Sequence, residues 1–483
     1  GDAALNTWNP SSTLTTAREI ITLWVSRMVM FNVYFRDCLP FGDVFIHAMI
    51  QDGHGQKMSK SLGNGVDPTD IIHSHGCDAM RFTLTSMTTQ TQDVRMPVDL
   101  VDPHSGETFE PAFVTTDSGY QVAAPIQEHN GKKMVSSYGL ASGQASPTDE
   151  MPLARNTSPK FDLGRNFANK LWNAVRFALE RLSDEPEVDL AEADGELGLA
   201  DRWLLSRLVR AVENADRALA DYDFNGYADG LYDFFRRDLC DWYIEAIKPT
   251  VKNSKVQRQL LAAALDVSLR LLHPVMPFIT EALWEHLNRV APDRDHSGGV
   301  AGLEAVAIPA SDLLVNAPWP KVDAGATDEA AEKAFAVVRE AVSAIREVRT
   351  ANQVVPRETV EVSIRAGGDR AAILEEAADL VGTLAGAKLV AVGESVERPD
   401  AAAGTAMGEA EVFVHDVIDA DAERERLERR IEEVDNDIST LEGRLANEGY
   451  VNNAPAHLVE ETRGQLEESR NELAALQSQL EAL

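Results

Sequence analysis

The sequence predicts a multidomain α/β plus all-α protein, ending in a small mixed α/β unit and an antiparallel coiled-coil arm. Three observations carry this reading. Helical and strand patterns mix over residues 1–101, helical periodicity dominates residues 160–322, and leucine-rich heptads run through residues 418–483. A chain of 483 residues has room for three or four domains that each bury a core.

In residues 1–101, Ile20, Trp24, Met28, Phe31 and Phe35 recur at spacings of three and four, which predicts an amphipathic helix. It leads into the strand-like run Asp43-Val44-Phe45-Ile46-His47. Asp67, followed by Pro68 and Asp70, predicts an N-cap, a proline at the first helical position and an acidic first turn. Residues 102–159 lose periodicity in favour of Gly, Ser, Thr and Pro, and are expected to be an inserted surface segment, partly disordered or a small hairpin. Residues 160–322 form a helical bundle, broken by an acidic linker at 184–196 and a loop at 293–299, with Trp172, Trp203, Trp242 and Trp284 expected in its core.

Residues 323–417 read as the mixed unit: a helix through Phe335, Val338, Val342, Ile345 and Val348, then the alternating run Val360-Glu361-Val362-Ser363-Ile364. In residues 418–483, one heptad series runs from Leu427 through Ile431, Val434, Ile438, Leu441 and Leu445. A second runs through Leu466, Ser469, Leu473, Leu476, Leu480 and Leu483. Gly449 and Pro455 lie between them, so the helices are expected to fold back as a hairpin roughly 40 Å long at 1.5 Å per residue.

Lys and Arg total 45 against 78 Asp and Glu, a net charge of -33, which excludes coating nucleic acid by bulk electrostatics but leaves room for a local basic track. The longest apolar runs are cut by Arg27 and by Arg270 and His273, so no transmembrane span is predicted. Cys38, Cys77 and Cys240 form no CxxC pair, which favours a reducing compartment and gives no zinc framework; no metal site is predicted. The start, Gly-Asp-Ala-Ala, lacks an initiator Met and the features of a secretory leader, so a cytoplasmic piece of something longer is expected.

The chemistry concentrates in Gly55-Gln56-Lys57-Met58-Ser59-Lys60-Ser61-Leu62-Gly63-Asn64. Two ammonium groups three residues apart, among small hydroxyl residues and ahead of a glycine, suit a mobile loop that closes over a polyphosphate. Lysine is a flexible point charge there, matched to a charge that builds up on a leaving pyrophosphate. A solvated turn is the everyday explanation of a KxxK pair, but the whole string is far rarer than the pair.

That string resembles the KMSKS signature of class I aminoacyl-tRNA synthetases, and its neighbours resemble the valine members of that family. Ile20-Ile21-Thr22-Leu23-Trp24-Val25-Ser26-Arg27-Met28 looks like the helix beside the aminoacyl-adenylate pocket, and Gln92-Asp93-Val94-Arg95 like the end of the catalytic domain. Gly164-Arg165-Asn166-Phe167-Ala168-Asn169-Lys170-Leu171-Trp172-Asn173 looks like the opening helix of the anticodon-binding bundle. The run His273-Pro274-Val275-Met276-Pro277-Phe278-Ile279-Thr280-Glu281, with Leu283-Trp284, is similar to a later one. Ala446-Asn447-Glu448-Gly449-Tyr450-Val451 and Ala454-Pro455-Ala456-His457 resemble the tip of the coiled-coil arm.

The resemblance implies that residues 1–101 are the C-terminal part of a Rossmann-type catalytic domain, and that 160–322 and 418–483 bind tRNA. It implies ATP-dependent ligation of L-valine to tRNA(Val) through a valyl-adenylate, with ATP entering as its Mg2+ complex and no tightly bound cofactor. Lys60 and then Lys57 are the implied phosphate contacts, with Met58, Ser59 and Ser61 shaping the loop. His47 is a candidate for the adenine side, although a lone histidine ending a strand is more often packed or on the surface. Trp24 fits either the amino-acid pocket or an apolar helical stripe. Arg165, Arg236 and Arg444 are candidate tRNA contacts, as are Arg237 and Lys248, with ordinary surface charge as the alternative.

Three departures accompany the resemblance. The family's Gly-x-Asp pair is replaced by Ala17 and Glu19, no His-x-Gly-His string occurs, and the editing domain is missing. The chain alone is therefore expected to be inactive, requiring the N-terminal half of the same enzyme, the full-length protein being a monomer. Gly131-Lys132-Lys133-Met134-Val135-Ser136-Ser137 faintly echoes the loop and reads as a solvated turn. The arm holds 7 Arg and no Lys against 17 acidic residues, a net of -10, so tRNA contact there needs a narrow face such as Arg426, Arg429, Arg430 and Arg444. A noncatalytic tRNA-binding module and a coiled-coil scaffold are the competing readings.

Overall fold

The computed structural model describes residues 2–89, 92–183, 197–292, 294, 306, 308–309, 311–399, 401–417, 420–446, 458, 462–466, 469–470, 473 and 477. They fall into two compact units, Gly1–Ala331 and Glu332–Leu483.

The first unit opens with α1 (Asp2–Trp8) and β1 (Ser11–Ala17). A 3-10 turn, a π-helical turn (Ile21–Val25) and α2 (Ser26–Arg36) then cross over to β2 (Phe41–His47). The strands pair in parallel, Ser11 against Phe41 and Ala17 against His47. The helix predicted here exists, but in α2 the apolar residues lie all round it rather than along one stripe, and none of them is buried: Phe31, Tyr34 and Phe35 are 61, 81 and 71% exposed. Periodicity reports that apolar residues recur at helical spacing, not what covers them.

Strand β3 (Ile50–Asp52) pairs in parallel with β4 (Val94–Met96), and between them run the lysine loop, α3 (Pro68–His75) and α4 (Cys77–Met87). Asp67 caps α3 as expected, its carboxylate accepting from Thr69 N at 2.7 Å, with Pro68 opening the helix.

Residues 102–159 differ in part from expectation. All are described, and the hairpin alternative is met more than once over while the disordered one is not: besides the hairpins below, β5 (Asp99–Val101) sits between β6 (Thr108–Phe109) and β11 (Arg155–Thr157). Strand β7 (Phe113–Thr115) pairs with β8 (Gln121–Ala123), and β9 (Ile126–His129) with β10 (Lys132–Val135), before the short α5 (Ser137–Ser142). Leu100, Met134 and Ala154 form their core. Strands of two to four residues are too short for alternation to register in a sequence. The supposed solvated turn at 131–137 is likewise corrected: the turn is Asn130-Gly131, while Met134 and Val135 are fully buried and Ser136 caps α5.

The bundle comprises α6 (Asp162–Ser183), α7 (Leu199–Ala220), α8 (Phe224–Asp233) with a π-helical continuation (Phe234–Ile244) into α9 (Glu245–Ile247), α10 (Lys255–Leu272) and α11 (Pro277–Val290). The linker at 184–196 and most of the loop at 293–299 lie outside the described residues. Every residue of α10 from Arg258 to Leu272 is buried, so this is the central helix. Trp203 and Trp284 are in the core as predicted, Trp242 is half-buried, and Trp172 is 38% exposed, contrary to expectation. The stripe of α6 that goes inward is Phe167, Leu171, Val175 and Ala178, and Trp172 falls beside it.

The bundle's conspicuous sequence runs turn out to join it to α4. A Cβ on Gly164 would lie 2.2 Å from Ala79 O, so only glycine lets α6 cross α4 this closely, and Gly164 N donates to Thr83 Oγ1 at 3.2 Å. Asp78 on α4 caps α11, accepting from Phe278 N at 3.2 Å and Ile279 N at 2.7 Å, while Arg81 donates to Pro274 O at 2.7 Å.

In the second unit, α12 (Glu329–Ala351), which begins just before the division, buries the predicted stripe from Phe335 to Val348. Strand β12 (Val360–Arg365) is followed by α13 (Gly368–Glu376), α14 (Ala378–Ala385), β13 (Ala387–Gly393), β14 (Ala403–Met407) and β15 (Ala410–Val414). The sheet order is β13-β12-β15-β14, with only β12 and β13 parallel. Helix α15 (Ala420–Ala446) spans the first predicted heptad series, burying Val434 and Ile438, and Arg470 donates back to Glu442 at 2.6 Å. Gly449, Pro455 and, of the second series, Leu476, Leu480 and Leu483 lie outside the described residues, while Leu466, Ser469 and Leu473 are helical.

Candidate functional site

The parallel register puts the carboxyl ends of β1 and β2, Ala17 and His47, side by side. Open parallel sheets collect their ligands at that edge. Just beyond β1, Arg18 donates two hydrogen bonds to Asp93, at 2.8 and 2.6 Å. Asp93 also accepts from Met49 N at 3.1 Å and Gln51 Nε2 at 2.9 Å, so one carboxylate ties the end of β1 to the starts of β3 and β4. The Arg18 hydrogen bond, then the Met49 amide, hold the Asp93 carboxyl below its ordinary range, and the same contact pushes the Arg18 guanidinium up.

The lysine loop is built on a second carboxylate. Asp52, buried at the end of β3, accepts from His54 N at 3.0 Å, Gln56 N at 2.9 Å, Gln56 Nε2 at 2.8 Å and Asn64 Nδ2 at 2.8 Å. Burial alone would raise its pKa; the hydrogen bonds from Asn64, Gln56 and His54 outweigh burial and leave it lowered. Asn64, also buried, closes the loop on itself: its Oδ1 accepts from Ser59 N at 2.9 Å and its Nδ2 reaches Lys57 O at 3.3 Å. Ser59 Oγ and Ser61 Oγ are 3.1 Å apart, and Leu62 N donates to Ser59 Oγ at 3.2 Å. The hydroxyls therefore shape the turn from which the lysines project.

Both lysine side chains face outward. Lys60 is exposed and makes no ion pair among the described residues. Lys57 forms an ion pair with Glu19, the residue standing in the aspartate position of the resembled Gly-x-Asp pair. Met58 is half-buried against the cluster of Ile71, Met96 and Phe161. His47 is half-buried, and its Nδ1 lies 2.9 Å from Ala48 O; a carbonyl only accepts, so the neutral ring carries its proton on Nδ1 and leaves Nε2 as acceptor. Trp24, on the π-helical turn, is 58% exposed, as are Ile20, Leu23 and Met28 in part, so it is not a core residue of this unit.

The candidate tRNA contacts of the first unit each have a local partner. Arg165 pairs with Asp162 at 2.6 Å, Arg236 stacks on Tyr232 and donates to its hydroxyl, Arg237 pairs with Asp233 and Lys248 with Glu245. Arg444 is exposed on α15 in the other unit, where Arg430 pairs with Glu433. Sequence reading missed Asp52, Asn64 and Asp93 as the residues that build the site. The available signal was Asp52-Gly53-x-Gly55, an aspartate ahead of glycines that reads as an Asx turn.

Comparison with known proteins covers most of the chain. Residues 2–97 match the family described as tRNA synthetases class I (I, L, M and V), residues 201–364 the anticodon-binding domain of tRNA ligase, and residues 419–483 the valyl tRNA synthetase tRNA binding arm. The valine–tRNA ligase of Rhodopirellula baltica is 36% identical over 481 residues, covering 98% of this chain and 44% of that protein. That of Thermotoga maritima is 35% identical over 482 residues, covering 99% and 46%. The chain thus spans less than half the length of the curated relatives it matches. A solved ternary complex of Agrobacterium radiobacter K84 agnB2 LeuRS, tRNA and LeuAMS overlaps 66% of this chain and 29% of its own at a TM-score of 0.40 and 17% identity, too distant to argue from.

Proposed function

We propose, for a chain related along nearly its whole length to the C-terminal part of valine–tRNA ligases, that it supplies the lysine loop, the anticodon-binding bundle and the coiled-coil tRNA arm of such an enzyme. The observation that carries this is the outward-facing Lys57 and Lys60 on a loop shaped from beneath by Asp52 and Asn64, next to the carboxyl edge of β1 and β2. In this reading the valine carboxylate attacks the α-phosphorus of ATP, supplied as its Mg2+ complex, and pyrophosphate leaves. Lys60 neutralises the charge that develops on the departing phosphates, and Lys57 joins it after leaving Glu19. His47 Nε2 is then free to accept from the adenine side, Trp24 borders the amino-acid pocket, and Met58, Ser59 and Ser61 set the loop's shape.

The chain needs a partner for this chemistry. The exposed apolar residues of α2 fit packing against the N-terminal half of the same enzyme, and the chain alone is inactive. Arg165, Arg236 and Arg444 contact tRNA(Val) phosphates, and the reaction belongs to the cytoplasm. No helix among the described residues is long and apolar enough to cross a membrane.

The test is valine-dependent ATP–pyrophosphate exchange by this chain combined with an N-terminal half. Exchange that falls at least about tenfold in Lys60→Ala, with unchanged thermal stability, supports the assignment. No exchange from two folded halves would move the reading to a noncatalytic tRNA-binding module, and absence of a tRNA complex at low salt would move it further, to a coiled-coil scaffold.

A further inference from the structure

The lysine loop is held from outside as well as from beneath, by the small-stranded segment at residues 99–158. On the loop's entry side, Gln56 and Gln121 form a reciprocal pair: Gln56 Nε2 donates to Gln121 O at 2.7 Å, and Gln121 N donates to Gln56 Oε1 at 2.7 Å. On its exit side, Asn156 Nδ2 donates to Gly63 O at 2.8 Å and to Gly65 O at 2.6 Å. The Asn156 amide is buried, and its Oδ1 accepts from Ser137 Oγ at 3.2 Å, which orients the NH2 toward the loop and leaves no group of the amide unpaired. Gly63 itself, at φ 59°, lies so close to α5 that a Cβ there would sit 2.2 Å from Tyr138 N.

Both pins come from one segment, and they bracket Lys57–Leu62. Inside the bracket the backbone is held by Asn64 and Ser59, by a bridge from Lys57 to Gln51 and by Gly63 N donating to Lys60 O at 3.3 Å, all short-range contacts, and both lysine side chains are exposed. We infer that residues 99–158 are a positioning element for the lysine loop, with Asn156 as the positioning residue that fixes the exit hinge at Gly63–Gly65. The segment confines loop movement to the six residues that carry the ammonium groups, so the lysines reach the phosphates from a preset stance. This rests on the proposed role of Lys57 and Lys60 and adds to it a device that governs their approach.

Asn156→Asp tests it, because aspartate keeps the shape and the acceptor toward Ser137 but turns two donors into an acceptor facing carbonyls. On the whole chain, amide hydrogen exchange of the peptide spanning residues 57–66 should speed up by about tenfold, with the β10 peptide at Met134 and Val135 unchanged. In the reconstituted enzyme the KM for ATP should rise about fivefold while the KM for valine stays put. Loop exchange at the original rate in a folded Asn156→Asp variant overturns the inference. If β10 also loses protection, Ser137→Ala, which removes only the hydrogen bond that orients the Asn156 amide, decides: faster loop exchange upholds the inference and an unchanged rate overturns it. Failure of the Lys60→Ala test would remove the catalytic reading yet leave the exchange result standing, so the two failures are separable.

Discussion

In the lysine loop two cations face outward and a buried carboxylate, Asp52, holds the backbone beneath them. The centre of the bundle inverts this arrangement. Arg270 and Arg294 are buried on Trp284, their Cζ atoms 4.9 and 4.5 Å from its ring, and the single carboxylate Asp266 accepts from both. The remaining guanidinium donors go to backbone carbonyls of Pro318, Pro309 and Ala291 and to Asn288 Oδ1. A cation left in water stays available to a ligand and loses little hydration. A cation taken into a core has to spend every donor on the protein, and then serves only to fix that core.

The contrast can be broken at its buried end first. Asp266→Asn leaves two buried guanidinium groups without their shared counter-charge and should cost about 3–5 kcal/mol, read as a large drop in the denaturation midpoint. A variant within about 0.5 kcal/mol of the original would mean that the carbonyl partners suffice. Gly164→Ala should cost about 1–3 kcal/mol, because α6 must back away from Ala79 O, and the loss should appear in thermal unfolding without any change in the loop's own exchange rate.

At the exposed end the expected signature reverses: activity falls and stability does not. Lys60→Ala should slow pyrophosphate exchange by at least about tenfold with an unchanged unfolding midpoint. Glu19→Gln should have a smaller effect, lowering the KM for ATP about two- to fivefold by freeing Lys57 from its ion pair; a KM that stays the same would show that the pair does not compete with the phosphates.

The smallest effect concerns pH. Asp52 has a pKa lowered from 3.8 in the folded chain, so its contribution is fully present above the ordinary aspartate range and is lost as pH falls through the lowered value. Exchange of the 57–66 peptide, corrected for intrinsic rates, should stay flat from pH 7 to about 4 and rise only below it. Opening of the loop between pH 5 and 6 would assign its closure to some other group.

Much of the fold follows from local pattern. The α3 cap at Asp67 is an interaction within two residues, and the α12 stripe from Phe335 to Val348 and the strand at Val360–Ile364 repeat at the periods of their own elements, which sequence spacing records directly. Residues 102–159 escaped because their strands are too short for periodicity and are stabilised by partners distant in sequence, such as Arg155 against Val101. Trp172 escaped because a single residue, about 100° around the helix axis, separates the core position Leu171 from an exposed one, and the choice depends on which neighbour helix is present.

For the site, the sequence alone determined the identity and spacing of the charged groups: Lys57 and Lys60 on a glycine-bounded turn, which is a property of covalent order. What the tertiary structure decided is how that turn is held. Asp52, Asn64, Gln121 and Asn156 meet it from as far as 93 residues away, and a hydrogen bond between distant segments leaves no periodic trace in either one. The same reason separates Asp78 and Gly164, silent in sequence, from the helix ends they join: their meaning lies in the atoms they approach within about 3 Å, and only the packed chain brings those atoms near.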